Sequence, residues 1–192
     1  MKLKRLNLKI GSVAAIIAIS LLSPSVAFAD KFDLTFGYYS LSATTTKGSS
    51  SLSSLGAYSI DYRHAVAPQI EVSLGYSIVT SNSIMGGDLG YGLDIAGYYY
   101  PFTQAGEIHY DENGVRINQL EAWRPYVGAM FNQRSFQGIQ TGYAGFGGVV
   151  GTQRTVNDGL SLVGEIRYMD LSGGDSSTAH VIQMSLGISL LF

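Results

Sequence analysis

The chain is 192 residues long, 46% hydrophobic and 14% charged, with 24 glycines and no cysteine. Without cysteine there is neither a disulfide framework nor a thiol to carry a lipid, so folding rests on another device. All fourteen acids but only eight of the twelve bases follow residue 29, which leaves that part near −6 and argues against nucleic acid as a partner.

Lys2, Lys4, Arg5 and Lys9 open the chain, and a largely apolar stretch follows from Ile10 to Leu22. Pro24 breaks it, and Ala27-Phe28-Ala29 supplies the small-x-small pattern of a cleavage site. Residues 1–29 are therefore expected to be a cleaved signal peptide, and residues 30–192 one domain. The apolar stretch is short of the roughly 20 residues of a spanning helix, and no later run reaches that length. If the domain meets a membrane, it does so with strands.

From residue 32 onward the dominant signal is period-two alternation, in segments of about ten residues divided by Gly, Ser, Asn, Asp or Pro clusters. Eight segments are expected. The first, 32–42, sets Phe32, Leu34, Phe36 and Tyr38 against Asp33, Thr35 and Gly37, and a Ser-rich loop follows over 44–54. The second, 57–64, sets Tyr58, Ile60 and Tyr62 against Ser59, Asp61 and Arg63, and turns at 65–68. The third, 69–79, sets Ile70, Val72, Leu74, Tyr76 and Ile78 against Glu71, Ser73, Gly75 and Ser77. The fourth sets Leu89, Tyr91, Leu93 and Ile95 against Gly90, Gly92, Asp94 and Ala96, and runs into Tyr98-Tyr99-Tyr100-Pro101-Phe102. The fifth (123–134) and sixth (143–154) are Gly-rich and alternate poorly, so their faces stay unassigned. The seventh follows a turn at Asn157-Asp158-Gly159 and sets Leu160, Leu162, Ile166 and Tyr168 against Ser161, Val163, Glu165 and Arg167. The eighth, 180–192, places Ile182, Met184, Leu186, Ile188, Leu190 and Phe192 on one row.

Alternation alone fits a soluble sandwich or lipocalin-like barrel as well as a membrane barrel. The polar rows decide. A water-facing row is usually rich in Lys, Glu and Thr, whereas these rows hold mostly Gly, Ser, Ala and Asp, and the only lysines after residue 29 are Lys31 and Lys47. Small residues with a few charges suit the narrow interior of an eight-stranded barrel, with the apolar rows facing lipid. Tyr98, Tyr99, Tyr100, Phe102 and Trp123 flank one long connection and are expected to form an aromatic girdle at a membrane interface. The expected fold is thus all-β: an antiparallel up-and-down transmembrane β-barrel of about eight strands.

The row Met184, Leu186, Ile188, Leu190 and Phe192 resembles the C-terminal signal of outer-membrane barrels that their assembly machinery reads. With the eight-segment layout, the chain after residue 29 resembles the small OmpA/OmpX/OmpW-type barrels of the Gram-negative outer membrane. That resemblance implies outer-membrane lipid, lipopolysaccharide and the barrel-assembly machinery as partners, periplasmic termini, and external loops at 43–56, 80–88, 135–142 and 171–179. The long connection 104–122 departs from the pattern. Ile108 to Tyr110, Asn113-Gly114 and Val115 to Ile117 read as a protruding hairpin with a type I′ turn at Asn113-Gly114, extending strands four and five, with a ten-stranded barrel as the alternative.

Asp33, Asp61, Arg63, Glu71, Asp94, Glu165 and Arg167 lie on the inward rows and are expected to form an ion network in the lumen, although five carboxylates outnumber two cations. Some small outer-membrane barrels modify lipid A with a His and a Ser two residues apart; here Val66, Asp111 and Ile182 follow the three histidines at that spacing. The set His180, Asp175, Ser176 and Ser177 has acid-base residue types without family spacing. No catalytic, cofactor-binding or metal-binding residue is expected. The expectation is a non-enzymatic envelope or surface-interaction protein acting through its external loops. The alternatives are an OmpW-like passage for small apolar solutes, hinted at by Val79, Val163 and Met130, a lipid A-modifying enzyme, and a soluble periplasmic binding barrel.

Overall fold

The computed structural model describes residues 30–45, 48–81, 88–105, 107–111, 114–118, 122–136, 139–157, 159–174 and 176–192. The expected signal peptide lies outside them. The described strands are β1 (Asp30–Thr45), β2 (Gly48–Ala67), β3 (Ile70–Ser81), β4 (Asp88–Tyr99), β5 (Glu107–Asp111), β6 (Gly114–Asn118), β7 (Trp123–Phe136), β8 (Ile139–Asn157), β9 (Leu160–Gly173) and β10 (Thr178–Leu191). Eight of them close an antiparallel barrel in the order β1-β10-β9-β8-β7-β4-β3-β2. β5 and β6 pair only with each other. They are therefore a separate two-stranded sheet, neither an extension of the neighbouring strands nor a fifth pair in a ten-stranded wall. Asp111 pairs with Gly114, one place earlier than a turn at Asn113-Gly114 requires.

Closure joins the first strand to the last: Lys31 to Thr44 pair with Leu191 to Thr178. The two strands approach very closely at Gly37 and Gly187. A Cβ on Gly37 would stand 1.9 Å from the Met184 carbonyl oxygen, and one on Gly187 would stand 2.0 Å from that of Leu34. Closure leaves no sheet edge for lipid to meet. Asp30 and Phe192, where the barrel's first and last strands begin and end, share one rim, where Phe192 N–H donates to Asp30 O at 3.0 Å; this rim is the terminal end and the opposite one the far end.

The apolar rows face outward, among them Phe36, Ile60, Leu74, Leu93, Ile166 and Leu186. On β10 this row runs from Ile182 to Phe192, about 33 Å along the strand at ~3.3 Å per residue and about 25 Å along the membrane normal at a tilt near 40°. That matches the ~25 Å apolar band of an outer-membrane barrel. Tyr38, Tyr91 and Tyr168 face out in its far half. At the terminal rim Phe32 packs 5.3 Å from Phe192 and 5.5 Å from Tyr62, centroid to centroid.

Three sequence expectations change. The Ser-rich segment is strand: Ala43, Thr44 and Thr45 pair with Ser50, Ser49 and Gly48. Ser and Thr are compatible with extended backbone, Thr being β-branched, so the two halves of the segment continue the β1–β2 ladder and pair their backbone groups with each other. β7 and β8 likewise carry the wall across the expected loop, to the pair Phe136 and Ile139. The girdle is split: Tyr99, Phe102 and Trp123 are exposed, whereas Tyr98 and Tyr100 are buried inside the barrel. β4 keeps its alternation to its end, so Tyr98 and Tyr100 continue the inward row of Asp94 and Ala96.

Candidate functional site

The lumen concentrates the chain's charge. Asp33, Asp61, Arg63, Glu71, Asp94, Glu165 and Arg167 all point into it and are inaccessible to water, none more than 4% exposed. Three further cations join them: Lys31 on β1, and Arg124 and Arg134 on β7. Among the described residues the lumen therefore holds five carboxylates and five cations, and the excess of acid expected from the sequence is absent.

The charges sit in tiers set by register. Nearest the terminal end, Lys31 Nζ lies 2.5 Å from Glu71 Oε1 and donates to Gln153 Oε1 at 3.0 Å and to the Tyr100 hydroxyl at 3.2 Å. The Tyr100 hydroxyl in turn donates to Glu71 Oε2 at 2.7 Å. The segment after β4 folds across this mouth: Ala105 N–H donates to Pro68 O at 2.7 Å, Ala105 O accepts from Arg124, and Thr103 and Ala105 are buried. In the next tier Arg63 lies 2.7 Å from Asp33 Oδ2 and 3.2 Å from Glu165 Oε2, and stacks 4.0 Å from the Tyr98 ring centroid. The Tyr126 hydroxyl donates to Glu165 Oε2 at 3.0 Å.

Arg167 links this tier to the third. It contacts Glu165 at 2.5 Å, Asp61 at 3.0 Å and Asp94 at 3.5 Å. Asp94 also accepts from Ser77 at 3.1 Å and from Asn132, while Arg134 donates to Asn132 Oδ1 at 3.1 Å and to Gln183 Oε1 at 3.3 Å. Above Arg134 the polar interior ends. Tyr39, Leu41, Val79, Phe136, Met169 and Val181 fill the far half, and the Arg134 guanidinium faces the Tyr39 ring at 5.2 Å. Val163 and Met130 are interior as well, packed within the wall of side chains.

Charges this deep persist only when paired, because the desolvation of a single ion costs several kcal/mol. Each carboxylate of the lumen has at least one cation within 4.0 Å. The arrangement holds strands apart in the sheet together across the bore. Among the described residues none of the charges in these tiers is more than 4% exposed.

Arg124, Tyr126, Asn132 and Arg134 escape a reading of the sequence because the outward row of β7 carries Pro125, Ala129, Gln133 and Ser135 in place of a full apolar series. Parity counted from Trp123 would have found them, and so would the unbalanced acids. Lys31 follows from parity too, since Phe32 beside it faces out.

His64 and His180 take simpler roles. His64 Nδ1 lies 2.6 Å from Asp30 Oδ1, and His180 Nδ1 lies 2.5 Å from Asp170 Oδ1 on the outer wall, with the Tyr168 hydroxyl donating to the same oxygen at 3.0 Å. His180 is thus partnered across β9 and not by the Ser176-Ser177 segment, where Ser177 Oγ donates to Gly174 O at 2.7 Å. No group of three or more His, Cys, Asp or Glu among the described residues is placed to hold a metal ion.

No protein-family model matches the chain, and no curated protein sequence matches it. Solved structures do. Neisserial surface protein A, NspA, superposes with a TM-score of 0.56 at 15% identity, over 86% of this chain and 97% of that one. The outer membrane protein OprG from Pseudomonas aeruginosa gives 0.54 at 13% identity, over 88% and 97%. The chain has the fold of the small outer-membrane β-barrels. The N-terminal β-barrel domain of Pseudomonas aeruginosa OprF, at 0.50 and 11% identity over 88% of this chain and all of that one, shares it. At these identities the likeness carries the fold and not a role.

Proposed function

We propose that this barrel is a sealed, non-enzymatic element of the outer membrane that acts through its surfaces, with the far rim external. The observation that carries this reading is the water-inaccessible ion network of five cations and five carboxylates filling the terminal half of the bore, with the apolar packing above it. A bore of eight strands is narrow enough for side chains to fill, and the burial of these side chains supports that reading. The strand extensions at the far rim, rich in Ser and Thr, present the surface on which lipopolysaccharide or another external ligand would be met. NspA is by name a surface protein, which is in keeping with this reading. The row ending at Phe192 is proposed to serve as the signal for the barrel-assembly machinery.

Solute flux tests the reading. Vesicles holding the folded protein should swell in an isotonic pentose solution no faster than empty vesicles. Swelling that increases with protein content would transfer the assignment to the transport alternative, in which the apolar far half conducts a small solute.

A further inference from the structure

Of the Lys and Arg side chains whose surroundings are described, five face the lumen and only Arg154, on β8, lies on the outer wall. Its register partner is Trp123 of β7, and its guanidinium carbon stands 5.2 Å from the Trp123 ring centroid. No carboxylate among the described residues is within ion-pair distance of it. A guanidinium with no carboxylate partner among the described residues, beside an exposed Trp at the rim of an apolar wall, is placed where lipid headgroups lie.

The same two strands carry a notch. Gly97 of β4, Ala129 of β7 and Gly148 of β8 are successive register partners, all facing out. A groove of about 410 Å³ opens there among Val72, Ile95, Gly97, Ala129, Phe131 and Phe146. Neither glycine is required by the fold: neither has positive φ, and a Cβ would meet nothing closer than 4.0 Å at Gly97 or 3.7 Å at Gly148. What their smallness leaves is space on the lipid side. From Gly148 to Arg154 is about 20 Å along the strand and about 15 Å along the normal at a tilt near 40°. That is a little over half of the ~25 Å apolar band, so the groove lies near the midplane when Arg154 lies at the interface.

We propose that the β7–β8 seam binds one anionic phospholipid of the leaflet at the terminal end, its phosphate on Arg154 beside Trp123 and an acyl chain lying along the seam into the groove. Charge selects the occupant. A second groove of about 440 Å³, among Leu34, Phe36, Tyr58, Ile60 and Tyr76, has no described Lys or Arg on the outer face of its strands β1–β3, whose terminal rim instead carries the Asp30 carboxylate 2.6 Å from His64. The proposal rests on the chain spanning lipid, and failure of that premise would show separately, as a protein that does not fold into vesicles.

Trp123 is the only tryptophan of the chain, so its fluorescence reports the lipid at this seam directly. The protein is folded into vesicles containing a minor fraction of brominated phosphatidylglycerol or, in parallel, brominated phosphatidylcholine. At equal fraction the anionic lipid should quench Trp123 several-fold more strongly. Arg154→Gln should bring the two lipids to parity, Arg154→Lys should retain most of the preference, and Gly148→Leu should weaken it with the charge in place. Equal quenching by the two lipids in the unmodified protein, or a preference unchanged by Arg154→Gln, would overturn the proposal. So would quenching by either lipid that is lost as protein density rises, because a second copy of the chain would then cover the seam.

Discussion

Arg63 Nε lies 2.7 Å from Asp33 Oδ2, and neither side chain is reached by water. Removing one member leaves the other charged in a dry interior, which typically costs about 3–5 kcal/mol, whereas replacing both is far milder. Arg63→Met is therefore expected to destabilise the barrel by about that amount in urea titrations of vesicle-folded protein. The double variant Arg63→Met, Asp33→Leu should cost clearly less than the two single changes added together. Additive losses would mean that the pair is not coupled.

Two buried tyrosines make opposite predictions. The Tyr100 hydroxyl joins Lys31 to Glu71, so Tyr100→Phe should cost about 1–3 kcal/mol by leaving that pair under-bonded. The Tyr39 hydroxyl is buried with no hydrogen-bond partner among the described residues, so Tyr39→Phe should be neutral or stabilising in the same titration. A large loss at Tyr39 would show that its hydroxyl has a bonding role.

Depth in the membrane sets the cost of a charge on the wall. Leu93, exposed on β4 near mid-strand, should pay about 2–4 kcal/mol for Leu93→Arg, and Leu190, near the terminal rim, about 0–1 kcal/mol for Leu190→Arg. Folding titrations in lipid vesicles would read the difference. Equal costs would mean that the apolar row does not face lipid.

The β1–β10 seam needs its glycines. Gly187→Ala forces a Cβ against the Leu34 carbonyl and should weaken closure, whereas Gly97→Ala, on open wall, should be tolerated within about 0.5 kcal/mol. The shift in unfolding midpoint between the two variants is the measurement.

The strands that could be read from sequence are those in which a full apolar row opposes a row of small or charged residues. β1, β3, β9 and β10 are of this kind, and Ile70 to Ile78 or Met184 to Phe192 suffice to place their faces. β7 and β8 are not, because Gly128, Ala129, Gly147 and Gly148 give neither face a hydrophobic contrast. Two of the five lumen cations, Arg124 and Arg134, lie on β7 and are hidden with its faces. Tyr98 and Tyr100 were misplaced for a different reason: an amphipathic ring fits both an interface and a polar lumen, so its chemistry does not choose between them. The pairing of the charges is three-dimensional information. Arg63 finds Glu165 102 residues away, and only barrel closure brings β2 and β9 to opposite sides of one bore.

The account turns on a bore closed by paired charge, and conductance across a planar bilayer tests that most directly. The purified, folded protein should show no steady ion conductance at moderate voltage. Arg167→Ala, which strips a shared cation from Glu165, Asp61 and Asp94, should lower folded-state stability by about 3–5 kcal/mol. Reproducible, cation-selective current steps from the unmodified protein, together with unchanged stability in Arg167→Ala, would contradict the sealed lumen.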